Sequence, residues 1–276
     1  MLDNSHDFLV TLPITRYSRA MFISDPHSCE LTVYPSQKTK TKELALHLLR
    51  YYGFPETGRI EIDSDLPEGK GLASSSADLV ATCRAIADYF QIVIPESVIG
   101  KMMALIEPTD GVMYSGAVSF FHRKVELHKF IGQLPSMTII SIDEGGALDT
   151  ITYNQRPHKF SKSEKCEYTR LVQGLTAAIH LQDVRRIGEI STRSAEMNQI
   201  RNPKKMLNPM LAICKETEGL GLVTTHSGTC LGILLDNHHV QFKQQRDEII
   251  MQLEGQGNTV QIYETWNDTK GWGNLC

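Results

Sequence analysis

No apolar run in this chain approaches the roughly 20 residues that a membrane-crossing helix needs. The first residues, Met-Leu-Asp-Asn-Ser-His-Asp, are too polar for a signal peptide, so a cytoplasmic location is expected. The six cysteines (Cys29, Cys83, Cys166, Cys214, Cys230 and Cys276) contain no C-x-x-C and no paired Cys/His spacing. That argues against a zinc site, and buried reduced thiols are the expectation. Lys and Arg number 28 against 32 Asp and Glu, a net charge of -4. The basic residues are dispersed apart from a small group at 201–205, so nothing draws the chain to nucleic acid in general. No G-x-x-x-x-G-K-[ST] string occurs, which excludes a Walker A loop. Internal repeats and low-complexity tracts are also missing. The expected partner is a small molecule, with no nucleic acid and no membrane; a homodimer is compatible with the sequence.

What is there reads as an ordinary soluble globule of 276 residues, 41% hydrophobic and 22% charged. Strands are expected at 7–14, 29–34, 58–63, 117–122, 125–128 and 137–142, and helices at 44–52, 76–90 and from Pro95 to a stop at Pro108. The helix at 76–90 is the clearest, with Leu79, Val80, Cys83, Ile86, Ala87 and Phe90 at helical spacing. A polar stretch at 154–163 predicts a boundary between segments 1–153 and 154–276. Beyond it, helices are expected at 167–181, from an Asp183 cap onward, at 207–218 and at 240–253. Strands are expected at 230–236 and 258–263. The order fits an α+β fold.

The string Pro67-Glu68-Gly69-Lys70-Gly71-Leu72-Ala73-Ser74-Ser75-Ser76 carries the most information. Gly69 and Gly71 let the backbone approach a ligand closely and take positive φ. Ser74 and Ser75 can cap the helix that follows, and Ser75-x-x-Asp78 has capping-box spacing. A helix N-terminus offers unpaired N–H groups to an anion. Gly and Ser alone fit a plain glycine turn before an ordinary capped helix better than a phosphate site.

The full string resembles the central motif of the GHMP kinases, P-x-x-x-G-L-G-S-S-A-A, with Ala73 standing where that form has its second glycine. Its P-x-G-K-G-x-A-S-S form is most similar to the L-threonine kinase branch. The resemblance implies a ribosomal protein S5 domain 2-like N-terminal half, a ferredoxin-like C-terminal half, and nucleotide and substrate in the cleft between them. Residues 67–76 would then bind ATP, and Ser75 would supply a hydroxyl ligand to Mg2+.

Three further segments take roles from the same resemblance. Glu107-Pro108-Thr109-Asp110 is similar to the E-P-T-D of the branch, which implies Glu107 as a magnesium ligand and Asp110 as the group taking the acceptor's proton. Read from residues alone, Glu107 is a helix-end carboxylate disfavoured by the dipole, and Asp110-Gly111 is equally an ordinary turn. Thr224-Thr225-His226-Ser227-Gly228-Thr229-Cys230-Leu231-Gly232 looks like the C-terminal glycine loop of the superfamily. The N–H groups of Ser227, Gly228 and Thr229 could form an anion nest there, and His226 reads better as structural. Residues 142–150 resemble the D-x-G-G-x-V-D-T of the branch, so Asp149 and Thr150 are candidates for the acceptor pocket, or surface residues of a glycine loop.

The resemblance also implies an N-terminal motif, roughly P-x-S-x-G-E, before the first long strand. The sequence starts past it, so either upstream codons encode a glycine- and glutamate-containing strand or the protein lacks one. The expected activity is transfer of phosphate from ATP to the hydroxyl of L-threonine, giving O-phospho-L-threonine and ADP for cobalamin side-chain synthesis. Another amino-acid or small hydroxylated acceptor is the near alternative, and a silent nucleotide or metabolite sensor the distant one.

Overall fold

Alternating apolar residues at Ile60 and Ile62 put one face of β4 (Gly58–Ser64) against a helical layer, and that pairing builds the first half of the protein. The structure is a computed structural model that describes residues 7–25, 27–146 and 160–267. β4 lies between β2 (Ser18–Ile23), antiparallel to it, and β3 (Leu31–Tyr34), parallel to it. Helices α1 (Thr39–Tyr52), α2 (Ser74–Tyr89) and α3 (Glu96–Ala104) accompany this sheet. Leu44, Leu48, Leu79, Cys83, Ile86 and Met103 meet Ile60 in one core. Each large aliphatic side chain so buried contributes roughly 1.5–3 kcal/mol.

A second small sheet has the order β1 (Leu9–Thr11), β5 (Ala117–Phe121), β6 (Glu126–Gly132), all antiparallel. The third has the order β10 (Val260–Glu264), β7 (Met137–Asp143), β9 (Cys230–Asp236), β8 (Gly221–Thr224). Helices α4 (Lys162–His180), α5 (Val184–Asn198), α6 (Leu207–Glu216) and α7 (Phe242–Gly255) complete this part. A strand, helices, two strands, a helix and a strand, with the first strand beside the third and fourth, is the ferredoxin-like pattern. Its first strand, β7, precedes the polar stretch at 154–163, so the C-terminal sheet draws an inner strand from segment 1–153.

The α+β class is as expected, and most elements fall within a few residues of their expected ends. Asp183 caps α5 as expected, its Oδ1 accepting from the Arg186 N–H. β2 departs from the expected strands. Its inward residues, Ala20 and Phe22, include only one bulky side chain, and Met21 faces solvent, so the alternation is faint. The thiols also differ from expectation. Cys83, Cys214 and Cys230 are buried, but Cys29 and Cys166 are exposed.

The serine caps are a second correction. Ala73, not a serine, is the N-cap of α2; it has left-handed backbone (φ 57°) and makes no side-chain cap. The first helical bond runs from the Ala77 N–H to the Ala73 carbonyl. All three serines therefore sit inside the first turn, and Asp78 turns away from it to Ser18 and Lys38.

Candidate active site

The first turn of α2 faces residues 107–110, which follow α3. Ser75 donates its hydroxyl hydrogen to Glu107 Oε1, and Ser76 shares a hydrogen bond with Thr109. Glu107 is 8% exposed, and its second oxygen accepts from Lys40 Nζ at 2.5 Å. The two expected metal ligands, Ser75 and Glu107, are therefore neighbours. Two hard oxygens from protein fit magnesium, which fills its remaining positions with water and phosphate. Among the described residues no group of three or more His, Cys, Asp or Glu could hold a metal.

Asp110 lines a cavity of about 890 Å³ together with Gly71, Leu72, Ala73, His226 and Ser227. Burial, with the Glu107 carboxylate as a smaller contribution, pushes its pKa up to about 6. That is close to the value a general base needs near neutrality. Thr11 Oγ1 accepts from the Gly111 N–H at 3.3 Å, which ties the turn to β1.

The glycine loops of the two halves touch. A Cβ on Gly71 would lie 2.6 Å from Gly228 Cα, and one on Gly228 would collide with the Lys70 carbonyl. Only glycine permits that approach. The Thr229 N–H donates to the Lys70 carbonyl at 3.2 Å. This corrects the expected anion nest: of the three N–H groups at 227–229, Thr229's is spent on the facing loop. Asn202 Nδ2 (2.9 Å) and the buried Lys204 Nζ hold the Gly228 carbonyl from behind. Lys70 Nζ reaches Asp143 Oδ2 at 2.6 Å and the Gly146 carbonyl at 2.7 Å. Burial would raise the Asp143 pKa, but Lys70 and the Thr229 hydroxyl outweigh it and hold the carboxyl below its usual value.

His226 packs against His122 with ring centroids 5.1 Å apart. Burial first, then His122, Arg201 and Arg123, push its pKa down to about 3. A ring neutral at physiological pH fits the structural reading. Asp149 and Thr150 lie outside the described residues.

Several residues at this site escaped the sequence reading. Lys38 Nζ contacts Glu68 Oε1 at 2.5 Å and Asp78 Oδ2 at 2.7 Å, and Ser18 Oγ donates to Asp78 Oδ1 at 2.6 Å. Burial would lower the Lys38 pKa, but the two carboxylates reverse it and hold it above the usual value. With Lys40, Lys38 starts α1, where the helix dipole disfavours cations and no acidic residue stands in the first turn. That unfavourable placement was a readable signal.

Residues 39–120 match the family model described as GHMP kinases N terminal domain. The mevalonate kinase of L. major, in complex with R-mevalonate, superposes with TM-score 0.72 at 17% identity, over 95% of this chain and 90% of that one. A homoserine kinase from Cytophaga hutchinsonii gives TM-score 0.65 at 17% identity, over 90% and 84%. Residues 39–120 thus match a GHMP kinase N-terminal domain, the fold is that of the GHMP kinases, and these likenesses support a phosphotransferase acting on a hydroxyl group.

Within that class, its sequence is similar to L-threonine kinases. It is 27% identical to the one from Citrobacter freundii, over 84% of this chain and 80% of that protein. It is 25% identical to the one from Salmonella typhimurium, over 83% and 76%.

Proposed function

We propose that this protein is an ATP- and magnesium-dependent L-threonine kinase, forming O-phospho-L-threonine and ADP. The observation that carries the reading is the meeting of Ser75, Glu107 and Asp110 around one helix N-terminus, in a chain similar to L-threonine kinases.

The phosphates of ATP lie against the start of α2, where the N–H groups of the first turn have no intrahelical partner. Lys70 adds a positive charge on the same loop. Ser75 Oγ and the Glu107 carboxylate would hold Mg2+, which offsets charge on the phosphates when bound. The acceptor occupies the cavity beside Asp110. Its hydroxyl oxygen forms a bond to the γ-phosphorus as the bond from that phosphorus to the β,γ-bridging oxygen breaks, and ADP leaves. The hydroxyl proton passes to Asp110 Oδ late in the transfer, since a carboxylate is a weak base toward a free alcohol. The apolar walls of the cavity, among them Leu72, Val80, Leu134 and Ile139, keep water from competing as acceptor.

The test is mass-spectrometric detection of O-phosphothreonine after incubation with Mg-ATP and L-threonine. Homoserine, serine and simple amino alcohols run in parallel. Phosphorylation of one of those in preference to threonine would keep the kinase and replace the acceptor. Hydrolysis of ATP with no phosphorylated acceptor would overturn the reading.

A further inference from the structure

Glu107 carries the negative charge of the proposed metal site, and its side chain is only 7% exposed. A carboxylate so enclosed, with a hydroxyl as its other partner, is strongly unfavourable without a cation. The cation here is Lys40, 2.5 Å from Oε2, whose own side chain is 44% exposed and enters from the solvent side. Lys40 is the second residue of α1, at the end of a helix that repels positive charge. The helix alone gives it no reason to be there, and Glu107 does. An ammonium on a flexible four-carbon stem can also leave, because the stem allows other positions.

We propose that Lys40 is a tethered counter-ion for the metal carboxylate: it neutralises Glu107 while no metal–nucleotide is bound, and yields that carboxylate to the divalent cation when the metal–nucleotide arrives. The proposal rests on the reading of Glu107 as the metal ligand of an ATP-dependent kinase. A free metal ion must displace a cation held at high effective concentration, so it binds the empty protein weakly. A metal–nucleotide brings phosphate oxygens of its own, and the released ammonium pairs with one of them. The exchange conserves charge pairing only when metal and nucleotide enter together. Lys40 therefore makes metal binding conditional on nucleotide.

The experiment is titration of the nucleotide-free, full-length protein with Mn2+, following free Mn2+ by electron paramagnetic resonance. It needs no turnover, so it is separate from the acceptor assay. Lys40→Met should bind Mn2+ about tenfold more tightly than the wild type, because an intramolecular competitor is gone. Lys40→Arg should bind as weakly as the wild type. Lys40→Met combined with Glu107→Gln should lose the gain. Mg-ATP binding by Lys40→Met should move the other way and weaken, which a purely structural role for Lys40 does not produce. If Lys40→Met does not fold, Lys40→Gln keeps a donor to Glu107 without the charge, and the same gain is expected. Mn2+ affinity in the folded uncharged variant equal to or below wild type overturns the proposal. So does a gain that persists in the double variant, since the metal would then bind elsewhere.

Discussion

Gly71 and Gly228 lie backbone against backbone, so close that a methyl group on either would sit within 2.6 Å of the other's loop. One glycine follows Lys70 in the loop before α2; the other lies in the loop between β8 and β9. Gly228→Ala should push the loops apart, because the clash is with backbone atoms that cannot swing aside. A loss of about 1–3 kcal/mol of stability is expected. Chemical denaturation gives that value, and calorimetric titration should show weaker Mg-ATP binding alongside it.

Asp110→Asn should remove the proton acceptor and lower kcat by about a hundredfold or more. Nucleotide binding, measured separately, should change little. An Asp110→Asn enzyme with ordinary turnover would take Asp110 out of the reaction.

The same substitution should stabilise the protein above neutrality. The folded-state pKa of Asp110, about 6, is raised above its ordinary 3.8. The folded state thus holds the proton more tightly, and its relative stability is full below about pH 4 and lost as pH rises through 6. Wild type therefore bears a penalty at pH 8 that the Asp110→Asn variant would not, on the order of 1–3 kcal/mol. Melting both proteins from pH 8 down to pH 4 should show the gap in Tm closing toward the acid end. A constant gap would count against the raised pKa.

Activity should follow that ionisation. In wild type, kcat/KM for the acceptor should rise with pH and level off above about 6 to 7, since the carboxylate must be ionised to accept a proton. A profile flat from pH 5 to 8 would point to another group.

Asp78→Ala should be among the most destabilising single changes on the N-terminal half. Asp78 is 2% exposed and joins Lys38 and Ser18 to α2. Its loss leaves the half-enclosed Lys38 with Glu68, an exposed carboxylate, as its remaining counter-charge. A cost of about 3 kcal/mol is expected from urea unfolding.

The parts of the fold that were legible in sequence have a strong apolar period. α2, with Leu79, Cys83 and Ile86 on one side, and β9, a continuous buried run from Cys230, are of this kind. β2 was not, because a single bulky residue faces its core. The site divides in the same way. Ser75, Glu107 and Gly228 could be singled out because each stands in a short local string, and the structure sets Ser75 beside Glu107 and Gly228 beside Gly71. The cap on α2 was not, because Ala73 adopts a left-handed backbone that glycine or asparagine more commonly takes. That frees the serine hydroxyls to turn toward 107–109. Lys38 and Lys40 are separated from their partners by 30 to 67 residues of chain, and no local pattern connects them.

The four residues from Gln133 to Ser136 separate β6 from β7, and β7 is an inner strand of the C-terminal sheet. Where the chain is cut thus decides what can be exchanged with a relative. A chimaera joined at residue 153 would pair one parent's β7 with the other's β9 and β10 along its whole length. Its inner ladder would be a hybrid on both sides. A joint at 133–136 would transplant that sheet intact, and leave the Gly71–Gly228 contact, the Ile14–Thr265 bridge and the core that Ile131 shares with Val172 and Ile179 as the seam at which two parental lineages have to fit.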